Sequence, residues 1–148
     1  MTDKKLKSHR VNIDKIDKEI YALIQKRASH AVAIGKIKSK LSPKESFYKP
    51  DRETKILRNI LNANKKGLLP DSKIRAIYKE LISGCLSLEE ILKVAYLGPE
   101  ATHSEAAVHN QFGSQALRIP TSTIDDVFYQ VINDDVNLGV VPVENSSE

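Results

Sequence analysis

The chain of 148 residues contains a single cysteine, Cys85, and four scattered histidines. One cysteine excludes an internal disulfide, as expected in a reducing cytoplasm, and the histidine spacing matches no metal site. No apolar run approaches the ~20 residues that a membrane-spanning helix needs. The basic N-terminus leads into an amphipathic pattern rather than the apolar core of a signal peptide. These absences predict a cytoplasmic globular protein without a metal centre.

Charge is unevenly distributed along the chain. Residues 93–148 contain two basic and eight acidic side chains, a net charge of −6, whereas the whole chain carries +4. Residues 1–92 therefore carry +10, and the change predicts a boundary between domains 1–92 and 93–148. A basic first domain is compatible with a nucleic-acid partner or with a small anionic ligand.

The first domain has the apolar periodicity of three helices. Residues 6–41 follow three- and four-residue steps without an internal proline, which predicts one long helix. Gly35 lowers its helix propensity by ~1 kcal/mol and indicates close packing there. A second helix is expected from Pro50, and a third from an N-cap at Asp71 along an apolar stripe that reaches Leu92.

After these helices the apolar period changes. Short β-rich runs, VAYLG, ALRIP and NLGVVPV, are bounded by Gly, Pro and Asn. Between them, SEAAVHNQF and TIDDVFYQVIND have helical patterns. This alternation predicts a parallel α/β segment.

Charged residues interrupt the apolar stripes of all three helices. Arg27 and Lys38 lie on nearly one face of the first helix, separated by ~16 Å along its axis. Glu53 is central on the second apolar face, and Glu89 continues the third. Unpaired buried charges are costly, so these side chains must pair with one another or with a bound ion. The pattern alone leaves open a structural salt-bridge network, a surface for nucleic acid, and a pocket for a small dianion.

Arg10 cannot join this group within one chain. It precedes Arg27 by seventeen residues, roughly 25 Å along the helix and ~100° around it. If Arg10 belongs to the same pocket, it must come from a second chain.

The order Arg10, IDKEI, Arg27, AIGKIK, PDRE and ISGCLSLEE resembles the all-helical chorismate mutases, and most of all the mutase domain of bifunctional chorismate mutase–prephenate dehydratases. VAYLGPEATHSEAA and NLGVVPVENSSE resemble the start of the dehydratase domain. The resemblance implies an intertwined homodimer of three-helix chains followed by an incomplete α/β segment. It also implies rearrangement of chorismate to prephenate in phenylalanine biosynthesis, with no cofactor, no metal, no nucleic acid and no membrane.

The resemblance also implies roles for particular residues. Arg10 of the partner and Arg27 would hold the two carboxylates, and Lys38 would contact a carboxylate and the ether oxygen. Glu53 would bind the ring hydroxyl. The remaining residues implied for the mutase pocket are Arg52, Cys85 and Glu89. Those implied for the dehydratase segment are Thr102, Glu144, Asn145 and Ser146.

This sequence departs from the family pattern at three places. Lys49 stands where some members have aspartate, and Glu89 stands where some have glutamine. An ionised Glu89 would repel the ether oxygen, so we expect mutase activity to rise toward acidic pH. Ala101 stands where the family has glycine, which restricts the backbone if φ is positive there. His103, two residues further on, could pack against the fold or contact a ligand, and packing is favoured.

The resemblance places the dehydratase catalytic segment and the regulatory domain beyond residue 148. We therefore expect no dehydratase activity from residues 1–148. Two alternatives to a mutase remain. One is a basic helical module that binds nucleic acid through residues 1–92, with exposed charges and salt-sensitive binding. The other is a non-catalytic dimerisation domain, which would need the apolar stripes but not Arg10, Arg27, Lys38 and Glu53 together.

Overall fold

The computed structural model describes residues 2–41 and 48–143. Its first part is helical. The elements are α1 (Thr2–Leu41), α2 (Pro50–Ala63), a 3-10 turn (Asn64–Lys66) and α3 (Asp71–Leu86). The second part alternates strands and helices. Its elements are β1 (Lys93–Leu97), α4 (His103–Phe112), β2 (Leu117–Thr121), α5 (Ile124–Ile132) and β3 (Leu138–Val140). Both predicted fold classes are confirmed.

Helix α1 has 40 residues and is therefore ~60 Å long, but only its C-terminal third packs within the chain. Ala31 and Gly35 are buried there, and Arg27 and Lys38 are half-buried. From residue 3 to residue 26 every side chain is exposed. The exposed apolar side chains of this stretch include Ile13, Ile16, Ile20 and Leu23. The N-terminal two-thirds of α1 therefore leaves an apolar stripe uncovered.

Helix α3 differs from its prediction at both ends. Pro70 is its N-cap, and Asp71 is the first helical residue, whose carboxylate accepts a hydrogen bond from Asn64 Nδ2 at 2.7 Å. The helix ends at Leu86, and a turn follows over residues 87–89. Leu92 continues the apolar period but packs in the core of the α/β part. Periodicity extended the helix too far because a turn that keeps i→i−3 hydrogen bonds has nearly the same apolar spacing.

The three strands form a parallel sheet in the order β2-β1-β3. Strand β1 is central, and Val94, Ala95 and Tyr96 are almost fully buried. Val94 and Tyr96 pack with Val108 of α4 on one face, while Ala95 packs with Val127 of α5 on the other. A central strand covered on both faces explains its continuous apolar run.

Side-chain caps fix where the two short helices begin. Thr102 accepts a hydrogen bond from the Glu105 amide at the start of α4. Thr123 and Asp126 form a reciprocal capping box at the start of α5. Such caps satisfy amides that have no partner inside the helix. Within the described ranges, no helix combines the length and the apolar character needed to cross a membrane.

Candidate active site

A cavity of about 410 Å³ lies between α1, α2 and the C-terminal end of α3. Five charged side chains that the sequence singled out line it: Arg27, Lys38, Arg52, Glu53 and Glu89. The apolar part of its wall is formed by Ala31, Ile34, Ile56, Ile82, Cys85 and Leu86. The structure thus brings residues that are up to 62 positions apart into one partly enclosed, mixed-charge pocket.

Helix α1 supplies the two cations that lie on its apolar stripe. Arg27 Nη1 donates a hydrogen bond to the Leu81 carbonyl oxygen at 3.2 Å, which fixes the guanidinium against α3. Lys38 Nζ lies 3.1 Å from Glu89 Oε2. Both cations are half-buried rather than exposed on a surface, which is unlike a face that binds nucleic-acid phosphates.

Gly35 makes the approach between α1 and the turn after α3 possible. A β-carbon at this position would lie 3.2 Å from the Glu89 α-carbon, closer than most such contacts. The packing role predicted for Gly35 is confirmed. Glu89 itself lies in the turn rather than on α3 as expected, and its side chain is only 11% exposed. Glu89 is therefore enclosed at the cavity rather than exposed at the edge of the apolar stripe.

Helix α2 contributes Arg52 and Glu53 from its first turn. Glu53 is half-buried, and burial raises the pKa of its carboxyl above 4.5, an effect that the positive charge of Lys79 partly offsets. Arg52 is exposed at the rim. Pro50 begins the helix as predicted, because the first turn does not need its missing N–H.

Cys85 and Arg10 differ most in their position relative to the cavity. Cys85 is buried and lines the cavity, so it packs in the core and borders the ligand space at once. Arg10 is exposed, and the structure does not bring it to the cavity. A single protomer thus gathers every mutase-site residue that the sequence singled out except Arg10.

Three further residues line the cavity without having been assigned a role from the sequence: His30, Tyr48 and Lys49. His30 follows Arg27 by three residues and precedes Lys38 by eight, so helical periodicity could have found it. Lys49 was noted only as a departure from a family pattern. Tyr48 precedes α2 and carries no local signal, because its position depends on tertiary packing.

The dehydratase segment has a second, shallower cavity beside β1 and β2, lined by Gly98, Pro99, Glu100, Pro120, Thr121 and Ser122. Thr102 lies near it as the N-cap of α4. Ala101 has φ of 62°, a left-handed conformation that glycine adopts more readily than alanine, and its amide donates to Glu105 Oε2 at 2.6 Å. His103 is exposed, so the expectation that it packs is wrong.

Glu105 also accepts a hydrogen bond from Arg118 Nε at 3.2 Å. The Ala101 amide, followed by Arg118, lowers the pKa of the Glu105 carboxyl. The remaining predicted dehydratase residues, Glu144, Asn145 and Ser146, lie outside the described residues. Among residues 2–41 and 48–143, no three His, Cys, Asp or Glu side chains lie close enough to hold a metal ion.

The chain belongs to the chorismate mutase type II family, whose family model matches residues 9–90. Residues 94–148 match the prephenate dehydratase family model. Both helical and α/β parts are therefore of the kind that the sequence motifs indicated, in the same order along the chain.

Individual relatives combine the same two families. The chain is 44% identical over 146 residues to the bifunctional chorismate mutase/prephenate dehydratase of Stutzerimonas stutzeri. It is 47% identical over 146 residues to that of Aquifex aeolicus. Each alignment covers 97% of this chain and 40% of the relative. The protein of the same name from Escherichia coli K12 is 25% identical over 154 residues, covering 93% of this chain and 39% of the relative. The chain thus spans about 40% of the length of the curated relatives it matches.

Proposed function

We propose that this chain catalyses the rearrangement of chorismate to prephenate in phenylalanine biosynthesis. The observation that carries the proposal is the convergence of Arg27, Lys38, Arg52, Glu53 and Glu89 on one cavity within a chain of the chorismate mutase type II family. The bifunctional relatives support a parent protein that also carries a prephenate dehydratase.

The rearrangement is intramolecular: a C–O bond of the ether breaks while a C–C bond forms. The pocket needs to hold the reactive conformer and to stabilise negative charge that grows on the ether oxygen. Arg27 is the proposed partner of one substrate carboxylate, because its planar guanidinium suits bidentate contact. Lys38 is proposed to contact a carboxylate and the ether oxygen.

The other polar residues are assigned by their position in the cavity. Glu53 is proposed to bind the ring hydroxyl, and Arg52 to support the substrate from the rim. Glu89, when protonated, is proposed to donate to the ether oxygen. Cys85 borders the ligand space without a polar role. In the dehydratase segment, Thr102, Glu144, Asn145 and Ser146 are proposed to belong to the site for prephenate. The domains are proposed to divide as 1–92 and 93–148.

We further propose that the active form is a homodimer in which Arg10 acts across the interface. Two features support this. The exposed apolar stripe of α1 extends from Leu6 to Ile24, and a second copy of the chain would bury it. Arg10 lies on that uncovered part of α1, and the cavity otherwise has one arginine on α1 for a substrate with two carboxylates.

The first test is the loss of chorismate absorbance with the purified chain, followed by acid conversion of any prephenate formed. Arg27→Ala is expected to lower kcat/KM by about 100-fold or more, since it removes a charge-assisted contact in a partly enclosed site. Lys26→Ala, the neighbouring exposed cation, is the matched control and should retain parent activity. A folded dimer without turnover would instead favour the non-catalytic dimerisation domain.

A further inference from the structure

Helix α3 contacts different parts of the molecule on its two sides. One side, with Ile82, Cys85 and Leu86, lines the mutase cavity. The other side, with Lys79, Glu80 and Ser83, contacts the end of α4 and the residues that follow it. We call residues 110–115 the α4 end. The dehydratase segment therefore packs on the same helix that forms one wall of the mutase pocket.

Three polar side chains of α3 hold the α4 end in place. Lys79 Nζ donates to the backbone carbonyl oxygens of Asn110 and Gln111, where a cation complements the C-terminal end of a helix. Glu80 accepts hydrogen bonds from the Ser114 amide at 3.2 Å and from the Ser114 hydroxyl at 2.5 Å. These bonds join residues more than 30 positions apart.

Ser83 and Gly113 bring the two backbones close together. Ser83 is buried, and its hydroxyl oxygen accepts from the Gln115 amide at 3.4 Å. Gly113 has φ of 80°, and a β-carbon there would lie 2.6 Å from the Ser83 β-carbon. The left-handed backbone and the close approach both require glycine, so this contact has one specific geometry.

Tyr48 connects the α4 end to the mutase cavity. Its ring packs edge-to-face on Phe112, with centroids 5.4 Å apart and planes at 70°, and it lines a second pocket together with Gln111. The same tyrosine lines the cavity together with Glu53. Burial, and to a smaller extent the negative charge of Glu53, raises the pKa of the Tyr48 hydroxyl. Tyr48 is followed by Lys49, whose carbonyl oxygen accepts the amides of Arg52 and Glu53 in the first turn of α2.

We propose that the α4 end of the dehydratase segment positions Tyr48, and through it the first turn of α2 with Glu53, in the chorismate pocket. Tyr48 and Phe112 are thus positioning residues for the mutase reaction, and the two parts of the chain form one functional unit. The inference rests on the proposed mutase function for its kinetic readout. It follows because Tyr48 directly precedes Lys49, whose carbonyl oxygen accepts the Arg52 and Glu53 amides, so that a shift of the Tyr48 ring would move this turn.

The kinetic test compares Phe112→Ala with Phe128→Ala in the full 148-residue chain. Both variants remove one phenyl ring, but Phe128 is an exposed residue of α5, remote from the mutase cavity. An aromatic pair contributes about 0.5–1.5 kcal/mol beyond burial, so Phe112→Ala should raise the KM for chorismate roughly three- to tenfold. Its kcat should stay within about a factor of two, because the groups that contact the reacting atoms remain. Phe128→Ala should match the parent in both constants.

Amide hydrogen exchange provides a readout that does not depend on turnover. The Arg52 and Glu53 amides should exchange faster in Phe112→Ala than in the parent. Their exchange rates in Phe128→Ala should equal those of the parent. If the parent lacks mutase activity, the proposed function fails while exchange still tests the positioning. A folded Phe112→Ala with parent KM and parent exchange would overturn the inference.

A second variant covers the case in which Phe112→Ala does not fold. The double variant Glu80→Ala/Gln111→Ala changes two exposed residues and removes the Ser114 contacts and the Gln111 side chain that lines a pocket beside Tyr48. It should raise KM and accelerate exchange at Arg52 and Glu53 in the same direction. Parent values for both quantities in this variant would also contradict the proposed positioning.

Discussion

Lys38 Nζ lies 3.1 Å from Glu89 Oε2 across the candidate active site, and Gly35 allows the backbones that carry them to approach this closely. Both partners of the ion pair line the cavity, and the proposed mechanism has both of them contact the substrate's ether oxygen. If chorismate binds as proposed, it would share or replace the contact between Lys38 and Glu89. A charged Glu89 would keep Lys38 partly engaged and would oppose the negative charge that develops on that oxygen.

This geometry predicts how activity depends on pH. The rate of the parent should rise toward acidic pH, because a neutral carboxyl at this position can donate a hydrogen bond to the ether oxygen whereas a carboxylate cannot. Glu89→Gln supplies a neutral donor at every pH and should flatten the profile. The measurement is kcat and KM for chorismate from about pH 5 to pH 8 in both proteins. A Glu89→Gln variant whose pH–rate profile has the same slope as the parent's would contradict the proposed role of Glu89 as a donor to the ether oxygen.

Glu53 is expected to lower stability while supporting activity. Burial raises the pKa of Glu53 above 4.5, so the folded chain retains this proton at pH values where the unfolded chain has lost it. The contribution of Glu53 to the free energy of unfolding therefore falls as pH rises from about 4.5 through the raised pKa. Glu53→Gln should increase the melting temperature at pH 7 and leave it close to the parent value at pH 4.

The same variant should lower kcat/KM, because a neutral amide is a weaker acceptor for the ring hydroxyl. Glu100→Gln makes the identical chemical change at an exposed carboxylate of the other segment and should shift neither the melting temperature nor the mutase constants. If the Glu53→Gln variant is less stable than the parent at pH 7, the prediction is contradicted. The carboxylate would then be stabilised by its neighbours by more than burial destabilises it.

Mixed dimers test whether Arg10 acts in the partner's site. Arg10→Ala and Arg27→Ala should each be nearly inactive alone. When the two are co-expressed in equal amounts, half of the dimers carry one copy of each. Each mixed dimer then retains one intact site, made by Arg27 of one chain and Arg10 of the other. The expected activity is about a quarter of the parent's by this arithmetic. Activity no higher than the mean of the separate variants would place Arg10 outside the partner's site.

Local patterns predicted most elements and most of the pocket. Arg27 and Lys38 were identifiable because a helix repeats every 3.6 residues, so a charge on an apolar stripe must face the interior. The end of α3 could not be identified from the sequence, because the turn over residues 87–89 preserves nearly the same apolar spacing. Only the tertiary structure showed that Glu89 lies beside Lys38. Gly35 had indicated close packing at this part of α1, but not with which residue.

The sequence by itself determined the two-part architecture, the faces of the helices and the set of charges that had to find partners. These features are local, because periodicity, capping and turn chemistry act within a few residues. Only the tertiary structure decided that Tyr48 packs on Phe112, that Ser83 meets Gly113, and that the dehydratase segment packs on the helix that lines the mutase pocket. Such contacts join residues tens of positions apart and depend on how whole elements pack, which no local pattern specifies.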